Sequence, residues 1–223
     1  MMKTTTTAAA RLLASLCATA ALWAGATAPI HAQGADGYPA KPIRFIVPYS
    51  AGGGSDAVAR LVAEKISTRL GQSIVVENRP GAGGNIGTGV VAKAEPDGYT
   101  MVLASIASTA NPAIYKDLPF DVTKDFAPVG MIASAPIVIV AAANAPVATY
   151  DEMRSYSKAH PGALSYASSG TGTATHLAME MLKDRLDLDV VHVPYKGSGT
   201  AISDVVGGHV PMLVGAPATL TEV

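Results

Sequence analysis

The sequence predicts an α/β protein built from two lobes, and two observations support this. Short apolar runs of β type alternate with segments whose apolar residues have helical spacing. This alternation is typical of parallel sheets with helices on both faces, whose buried strands are almost wholly apolar. In addition, a less regular stretch at 105–125 divides the pattern, and on each side of it a strand leads through a glycine-rich loop into a helix. We therefore expect a changeover between lobes near 105–140.

The N-terminal half begins with a predicted strand, Ile43–Val47, which Pro48 interrupts. Ser55 is predicted to cap a helix over 56–70, and Gly71 to end it. The remaining elements expected in this half are a strand at 73–77, a small-residue helix at 85–94 and a strand at 100–104.

The C-terminal half repeats the alternation after two β-type runs at 127–133 and 137–142. A helix is predicted over 150–159 and is stopped by Pro161 and Gly162. The elements expected after it are a strand at 164–167, a helix to about 186, a strand at 190–193, a helix to 206 and a strand at 210–214.

Two of the glycine-rich loops have the chemistry of an anion site. The loop at 49–56 (YSAGGGSD) and the loop at 168–173 (SSGTGT) each follow a strand and precede a helix. Ligands of open α/β sheets bind at such strand ends, glycines allow close backbone approach, and helix N-termini offer free N–H groups. The alternative for the first loop is a tight turn in which Ser55 and Asp56 only stabilise the helix start. His176 follows the second loop and is expected to be a neutral hydrogen-bonding residue rather than a catalytic base.

Two further segments are weaker candidates. The third glycine-rich loop includes Arg79, which we expect to be a solvated side chain rather than a ligand contact. The small residues from Gly84 to Ala92 are expected to permit close packing of a helix on the sheet. Tyr195 and Lys196 either bring a ring and a cation to the site or form a surface turn.

The sequence gives little support for a catalytic site or a metal site. The first loop lacks the Lys-Ser/Thr ending of a nucleotide-binding loop, and no Gly-x-Ser-x-Gly elbow is present. Four histidines, His160, His176, His192 and His209, remain after residue 32 without metal-ligand spacing. We therefore predict no catalytic residue, no metal and no cofactor.

The N-terminal segment has the order of a secretory signal peptide. Lys3 and Arg11 precede an apolar run of about 17 residues, and Ala32 stands at a suitable cleavage position. A membrane anchor is the alternative, but a run rich in Ala, Gly and Thr is marginal for spanning a bilayer. Leu16 disfavours lipid attachment at Cys17. The predicted organisation is a signal peptide at 1–32, a first lobe at 33–125 and a second lobe at 126–223.

The composition of the chain that remains after signal-peptide cleavage limits the functions it could have. Loss of Lys3 and Arg11 leaves 14 basic against 17 acidic residues and no cysteine. The absence of a basic run argues against nucleic acid as a partner, and no later apolar run is long enough to cross a membrane.

Five motifs in unbroken order carry a family resemblance. They are VPYSAGGGSDAVAR at 47–60, ENRPGAGGNIG at 77–87, PDGYT at 96–100, YASSGTGT at 166–173 and HVPYKG at 192–197. In this set the chain resembles the Bug-type substrate-binding receptors of tripartite tricarboxylate transporters.

The resemblance implies a two-lobed type II periplasmic-binding-protein fold that closes on its ligand, with the first lobe incomplete for lack of the C-terminal segment. It also implies a monomeric periplasmic receptor that delivers a small carboxylate (a di- or tricarboxylate, an amino acid or an aromatic acid) to a membrane permease. The ligand-binding residues expected from it are Tyr49, Ala51, Gly52, Gly53, Gly54, Ser55, Asp56, Ser105, Ser168, Ser169, Gly170, Thr171, Gly172, Thr173, His176 and Tyr195.

Two other functions stay open at the level of sequence. One is a ligand-sensing protein whose closed form docks on a sensor kinase. The other is an exported hydrolase or lyase, which would require a nucleophile–base pair that the sequence does not reveal.

Overall fold

The computed structural model describes residues 37–217. The predicted signal peptide at 1–32, with Cys17 inside it, lies outside the described residues and stays a prediction. Of the described residues, 39–217 lie in one compact unit, and Gly37 and Tyr38 belong to a separate one. Two β-sheets organise the described part of the compact unit.

The first sheet has three parallel strands in the order β2–β1–β3. They are β1 (Ile43–Val47), β2 (Ile74–Asn78) and β3 (Thr100–Val102). The central strand β1 is apolar at every position except Arg44, which pairs with Glu77 of β2, and Ile46 and Val47 are fully buried because both faces of the strand are covered. The three strands predicted in this half are confirmed, with bounds that shift by at most two residues.

Helices follow each strand of this sheet. They are α1 (Gly54–Leu70), α2 (Asn85–Ala92) and α3 (Ile106–Ile114), and a short 3₁₀ turn at Ala82–Gly84 leads into α2. Ala59 and Ala63 of α1 pack in one cluster with Phe45 and Val47 of β1. Their small side chains let the helix lie close to the sheet. Gly71 ends α1 in the left-handed conformation with φ 65°, as predicted.

The start of α1 differs from the prediction that Ser55 caps it. Gly53 is the N-cap, the helix begins at Gly54, and Ser55 lies in its first turn. The carboxylate of Asp56 instead accepts a hydrogen bond from the N–H of Gly52. An acidic side chain in the first turn is also favoured by the helix dipole. The helix start is therefore organised by Asp56.

Helix α3 was not predicted, because the stretch at 105–125 was interpreted as irregular. Ser105 is its N-cap, and the Ser105 side chain accepts a hydrogen bond from the N–H of Ala107. Pro112 lies inside the helix and has no N–H to donate. An internal proline argues against a helix in sequence, but α3 is short and packs against α2, so the lost hydrogen bond is tolerated.

The second sheet has four strands in the order β4–β7–β5–β6. They are β4 (Val138–Ala141), β5 (Leu164–Ser168), β6 (Val190–Pro194) and β7 (Met212–Gly215). Strand β5 is parallel to β6 and β7, as expected, but β4 is antiparallel to β7. The expected parallel arrangement therefore holds for β5, β6 and β7 but not for the edge strand β4. Apolar periodicity is the same for both strand directions, so it could not reveal the reversal.

Three helices accompany the second sheet, namely α4 (Tyr150–Ala159), α5 (Ala174–Leu186) and α6 (Ser198–Val206). All three were predicted. The core between sheet and helices includes Leu164, Tyr166, Met179 and Met212, none more than 1% exposed. Burial of each such side chain contributes roughly 1.5–3 kcal/mol, which makes this cluster a main source of stability.

The predicted strand at 127–133 is wrong. These residues have no regular secondary structure, and Val129 and Met131 are 88% and 89% exposed. A β-type run becomes a strand only when a neighbouring strand accepts its hydrogen bonds. No strand of the described chain pairs with it.

The predicted lobe boundary at 125–126 falls between the two sheets in sequence. Strands β1–β3 precede it and β4–β7 follow it. The boundary itself stays a prediction. Within residues 37–217, no helix combines the length and the apolar character needed to cross a membrane.

Candidate functional site

A cleft of about 200 Å³ opens where loops from both sheets meet. Loops that follow the carboxyl ends of β1, β2, β5 and β6 surround it, which is where open α/β sheets bind ligands. Its lining consists of Pro48, Tyr49, Gly81, Ala82, Gly83, Gly84, Tyr115, Ser169, Gly170, Thr171, Pro194, Tyr195 and Lys196.

Five of the predicted site residues line the cleft. They are Tyr49, Ser169, Gly170, Thr171 and Tyr195. The other eleven lie outside the lining. They are Ala51, Gly52, Gly53, Gly54, Ser55, Asp56, Ser105, Ser168, Gly172, Thr173 and His176.

The loop after β5, residues 168–173, is held by side chains directly beneath it. The N–H of Gly170 donates to Ser168 Oγ at 3.0 Å, and the N–H of Gly172 donates to His176 Nδ1 at 3.2 Å. The N–H of Ser169 donates to Thr175 Oγ1 at 3.0 Å. His176, in the first turn of α5 as predicted, therefore supports the loop.

These bonds decide which amides a ligand can use. The N–H of Thr173 donates to the carbonyl of Gly170. Together with the three bonds above, this leaves Thr171 as the one residue of 169–173 whose N–H has no acceptor among the described residues. The loop thus presents one main-chain donor and the hydroxyl groups of Ser169 and Thr171, rather than a full ring of amides.

In the loop after β1, Pro48 and Tyr49 line the cleft, whereas residues 50–54 lie outside the lining and pack against protein. The N–H of Ser50 donates to the carbonyl of Lys196 at 3.0 Å. A Cβ atom placed on Gly199 would lie 2.1 Å from the carbonyl oxygen of Ala51. The glycines therefore allow the loop at 51–54 to touch the start of α6. A ligand role for this loop stays a prediction.

Asp56 has a full set of partners within the chain. Its carboxylate accepts hydrogen bonds from Gly52 N–H, Arg60 Nε and Asn78 Nδ2. Burial raises the pKa of Asp56, but these three hydrogen bonds outweigh it, so the pKa lies below its usual value. Of the two interpretations given to this residue, the structural one has direct support.

Tyr49 reaches the cleft because Ser105 holds its hydroxyl. The two side-chain oxygens are 2.7 Å apart, and the Tyr49 ring is 8% exposed. Burial raises the pKa of Tyr49 above its usual value, and the bond to Ser105 opposes this. Ser105 thus acts on the cleft through Tyr49.

Sequence reasoning kept the third glycine-rich loop as a weaker candidate and named none of its residues as ligand-binding, but residues 81–84 line the cleft. All four have positive φ, including Ala82 at 48°. A Cβ on Gly83 would lie 2.3 Å from the carbonyl oxygen of Thr171, so only glycine fits between the two loops. The position of this loop after the carboxyl end of β2 was the signal that could have identified it. Arg79 lies outside the lining and pairs with Glu77 at 3.3 Å, in agreement with the surface role expected for it.

Tyr115 is a second residue that sequence reasoning missed. It follows α3, and its hydroxyl donates to the carbonyl of Thr171 at 3.1 Å. Because α3 was not predicted, no local signal pointed to this residue.

Lys196 is the one charged residue in the lining. No acidic residue lines the cleft, and Lys196 forms no ion pair within the described part of the chain. The neighbouring Tyr195 hydroxyl donates to Asp204, and burial with this carboxylate raises the pKa of Tyr195 to about 12. The cleft is therefore suited to neutral or anionic groups.

A serine–histidine pair lies beneath the cleft that sequence reasoning did not identify. Ser168 Oγ and His192 Nε2 are 2.6 Å apart. Ser168 is fully buried, and its oxygen already accepts from Gly170, so a substrate carbonyl has no path to it. Between residues 37 and 217, no group of three or more His, Cys, Asp or Glu side chains is placed to hold a metal ion.

The chain matches the family described as the tripartite tricarboxylate transporter family receptor over residues 58–223. A relative from Pseudomonas sp. strain P51, the UPF0065 protein in the tcbD-tcbE intergenic region, is 39% identical over 84% of this chain and 56% of its own length. BugT of Bordetella pertussis is 38% identical over 90% of this chain and 61% of its own length. The chain thus spans little more than half the length of these relatives.

Solved structures agree in fold. The periplasmic binding protein BugD is 36% identical with a TM-score of 0.79, over 83% of this chain and 62% of that one. A Rhodopseudomonas palustris protein with adipate is 34% identical with a TM-score of 0.78, over 82% and 62%. MatC of Rhodopseudomonas palustris with bound malate is 31% identical with a TM-score of 0.77, over 82% and 63%.

These neighbours confirm the expected periplasmic-binding-protein fold and the family resemblance. The matched family and structures are receptors and binding proteins rather than enzymes, in agreement with the expectation of a substrate-binding receptor. The chain therefore belongs to the receptor family of the tripartite tricarboxylate transporters.

Proposed function

We propose that this chain is part of a receptor that captures a small dicarboxylate in the cleft and delivers it to a membrane permease. The main support for carboxylate binding is the charge of the cleft, whose lining has one cation, Lys196, and no acidic residue. The free N–H of Thr171 and the hydroxyls of Ser169 and Thr171 add donors suited to carboxylate oxygens.

Two carboxylates rather than one are favoured by the arrangement of these donors. The donors of 169–171 come from the loop after β5, whereas Lys196 comes from the loop after β6. One carboxylate would accept from the first group and the other would pair with the ammonium group. The structural neighbours with adipate and with malate hold ligands of this class.

Contacts between the loops of the two sheets support a closing mechanism. Tyr115 donates to Thr171, and Ser50 donates to Lys196, across the gap between the sheets. Both bonds end on a carbonyl group of a cleft-lining residue. A ligand that bonds to the same loops favours this closed arrangement by its higher affinity for it.

Export to the periplasm belongs to this proposal. It is supported by the order of the N-terminal segment and by the periplasmic binding protein among the structural neighbours. Cell fractionation tests it, since the chain with residues 1–32 should be found in the periplasm and the chain without them in the cytoplasm.

Isothermal titration of the full chain against malate, adipate, citrate and propionate tests the ligand class. We expect the dicarboxylates to bind most tightly, with a dissociation constant of about 1 µM or about −8 kcal/mol. Propionate, with one carboxylate, should bind more weakly. Absence of heat with every acid, or equal affinity for propionate and adipate, would contradict the proposal.

A further inference from the structure

Two histidines stack directly under the cleft loop. His176 of α5 and His192 of β6 have ring centroids 4.1 Å apart and an interplanar angle of 21°. Tyr166 of β5 stacks with His192 at 5.0 Å. None of these three rings lines the cleft, so they form a layer beneath its binding groups.

Each histidine is bonded to the loop that carries the free amide of Thr171. His176 Nδ1 accepts the N–H of Gly172, which requires an unprotonated Nδ1. His192 Nε2 bonds to Ser168 Oγ, and the same oxygen accepts the N–H of Gly170. The two amides next to Thr171 are therefore both linked to histidines. The N–H of Gly172 bonds directly to His176, and the N–H of Gly170 is linked to His192 through Ser168.

The charges around the pair come from α5. Glu180 accepts the hydroxyl of Tyr166 and pairs with Lys183 at 2.8 Å, so its charge is largely compensated. The adjacent strand β7 contributes no titratable group, and β5 contributes only Tyr166. Little negative charge is thus left to stabilise an imidazolium.

Protonation of the pair is unfavourable for this reason. Burial lowers the pKa of His176, with Lys183 acting in the same direction and Glu180 against it. Burial and the charge of His176 lower the pKa of His192 to about 4. Both rings are therefore neutral at pH 7, and stacking at this distance disfavours a state in which both are charged.

We propose that His176 and His192 are positioning residues that make the shape of the loop, and with it ligand affinity, depend on the proton concentration. The neutral imidazole of His176 holds Gly172. Protonation at Nδ1 removes the acceptor and sets a donor against a donor, so the loop around Thr171 rearranges and the ligand is released. This inference rests on the proposed binding of a carboxylate in the cleft.

The sign of the effect separates this mechanism from simple attraction. A positive imidazolium below an anion site would by itself strengthen carboxylate binding as the pH falls. Loss of the Gly172 hydrogen bond weakens it instead. Tighter binding of malate by the wild type in acid, relative to a variant without the titrating group, would overturn the proposal.

Titrations with malate between pH 7.5 and pH 4.5 compare the wild type with His176→Asn. The Asn side-chain oxygen can accept the Gly172 N–H at every pH, and the protonation of malate cancels in the ratio of the two dissociation constants. We expect the ratio of the wild-type to the variant dissociation constant to rise as the pH falls, by up to about ten-fold for each pH unit below the pKa of His176, because one proton is linked to binding. His160→Asn, which removes a histidine at the end of α4, serves as the matched control and should follow the wild type. A constant ratio between wild type and His176→Asn would overturn the proposal.

His192 is tested by a conservative pair. His192→Gln keeps a side-chain amide that can bond to Ser168 and should retain affinity at pH 7.5 within a few-fold. His192→Leu lacks it and should lose about ten-fold or more, as expected when a buried hydrogen-bond partner is removed. Equal affinity of the two variants would show that His192 does not position the loop.

A measurement without ligand separates this proposal from the proposed function. The NMR amide resonance of Gly172 should shift with the same midpoint as the His176 imidazole, and should not do so in His176→Asn. If this coupling is present but no carboxylate binds, the proton link stands and the ligand class is wrong. If carboxylates bind and the Gly172 resonance is insensitive to pH, the proton link is wrong.

Discussion

The loops at 51–56 and 168–173 have nearly the same pattern in sequence but different surroundings. Both join a strand to a helix and both contain glycines. The loop at 168–173 borders the cleft and is held from below by Ser168, Thr175 and His176. The loop at 51–56 is organised by Asp56 and touches the backbone at the start of α6. The comparison shows that glycine in such a loop makes room for whatever faces it, whether a ligand or another segment of backbone.

The largest effect is expected from a substitution that fills the space between the loop at 168–173 and Asn111. Gly172 has φ 81°, and a Cβ atom there would lie 2.2 Å from Asn111 Oδ1, in a side chain that is 1% exposed and bonded to Gly83 and Asn85. Gly172→Ala should lower the free energy of unfolding by roughly 2–4 kcal/mol, measured by urea denaturation.

Gly162→Ala is the matched control for this change. Gly162 has a similar φ of 72° with nothing within 4 Å of a Cβ atom, so it reports the backbone strain alone, about 1 kcal/mol. Equal losses in both variants would show that the contact with Asn111 does not matter.

For the loop at 51–56, the corresponding substitution is made at Gly199 of α6, which packs against this loop. Gly199→Ala places a Cβ atom against the carbonyl of Ala51 without requiring a positive φ, so the cost is overpacking alone, about 1–3 kcal/mol. Gly130→Ala, at an open position, should change the unfolding midpoint little. If Gly199→Ala unfolds like the wild type but loses malate binding, this loop would be part of the ligand site and the comparison between the loops would fail.

Lys196→Met tests the charge of the cleft. We expect a roughly three- to ten-fold loss of affinity for malate and adipate, ~0.7–1.4 kcal/mol, because the second carboxylate loses its partner. Propionate affinity should stay nearly unchanged. Lys158→Met, which removes an exposed lysine paired with Asp187, is the control and should bind all acids normally. An equal loss for propionate would place Lys196 against the first carboxylate instead.

The smallest effect is expected for Tyr115→Phe. The change removes the hydrogen bond to Thr171 and keeps the ring in place. Affinity for malate should fall about two- to five-fold, or ~0.5–1 kcal/mol, since the bond contributes to the closed arrangement. Tyr150→Phe, at an exposed position at the start of α4, is a suitable control. Unchanged affinity in Tyr115→Phe would show that this contact between the sheets is not linked to binding.

Much of the local structure was predictable from the sequence. Strands such as Ile43–Val47 and helices such as Tyr150–Ala159 were predicted because apolar spacing, capping residues and stop signals act over a few neighbouring residues. The error at 127–133 has the opposite cause, since a strand forms only where another strand pairs with it, which local spacing does not specify. The error at Ser55 is local, because the carboxylate of the adjacent Asp56 accepts the N–H of Gly52 and the helix begins at Gly54.

The site itself shows where the sequence stops being informative. By itself the sequence determined the two-sheet α/β organisation, the family and the presence of glycine-rich loops at strand ends. Only the tertiary structure decided that the loop at 81–84 and Tyr115 line the cleft, and that His192 lies under Ser168, which is 24 residues away in sequence. The physical reason is that a loop's conformation depends on adjacent residues, whereas its function depends on which distant groups the packing brings against it.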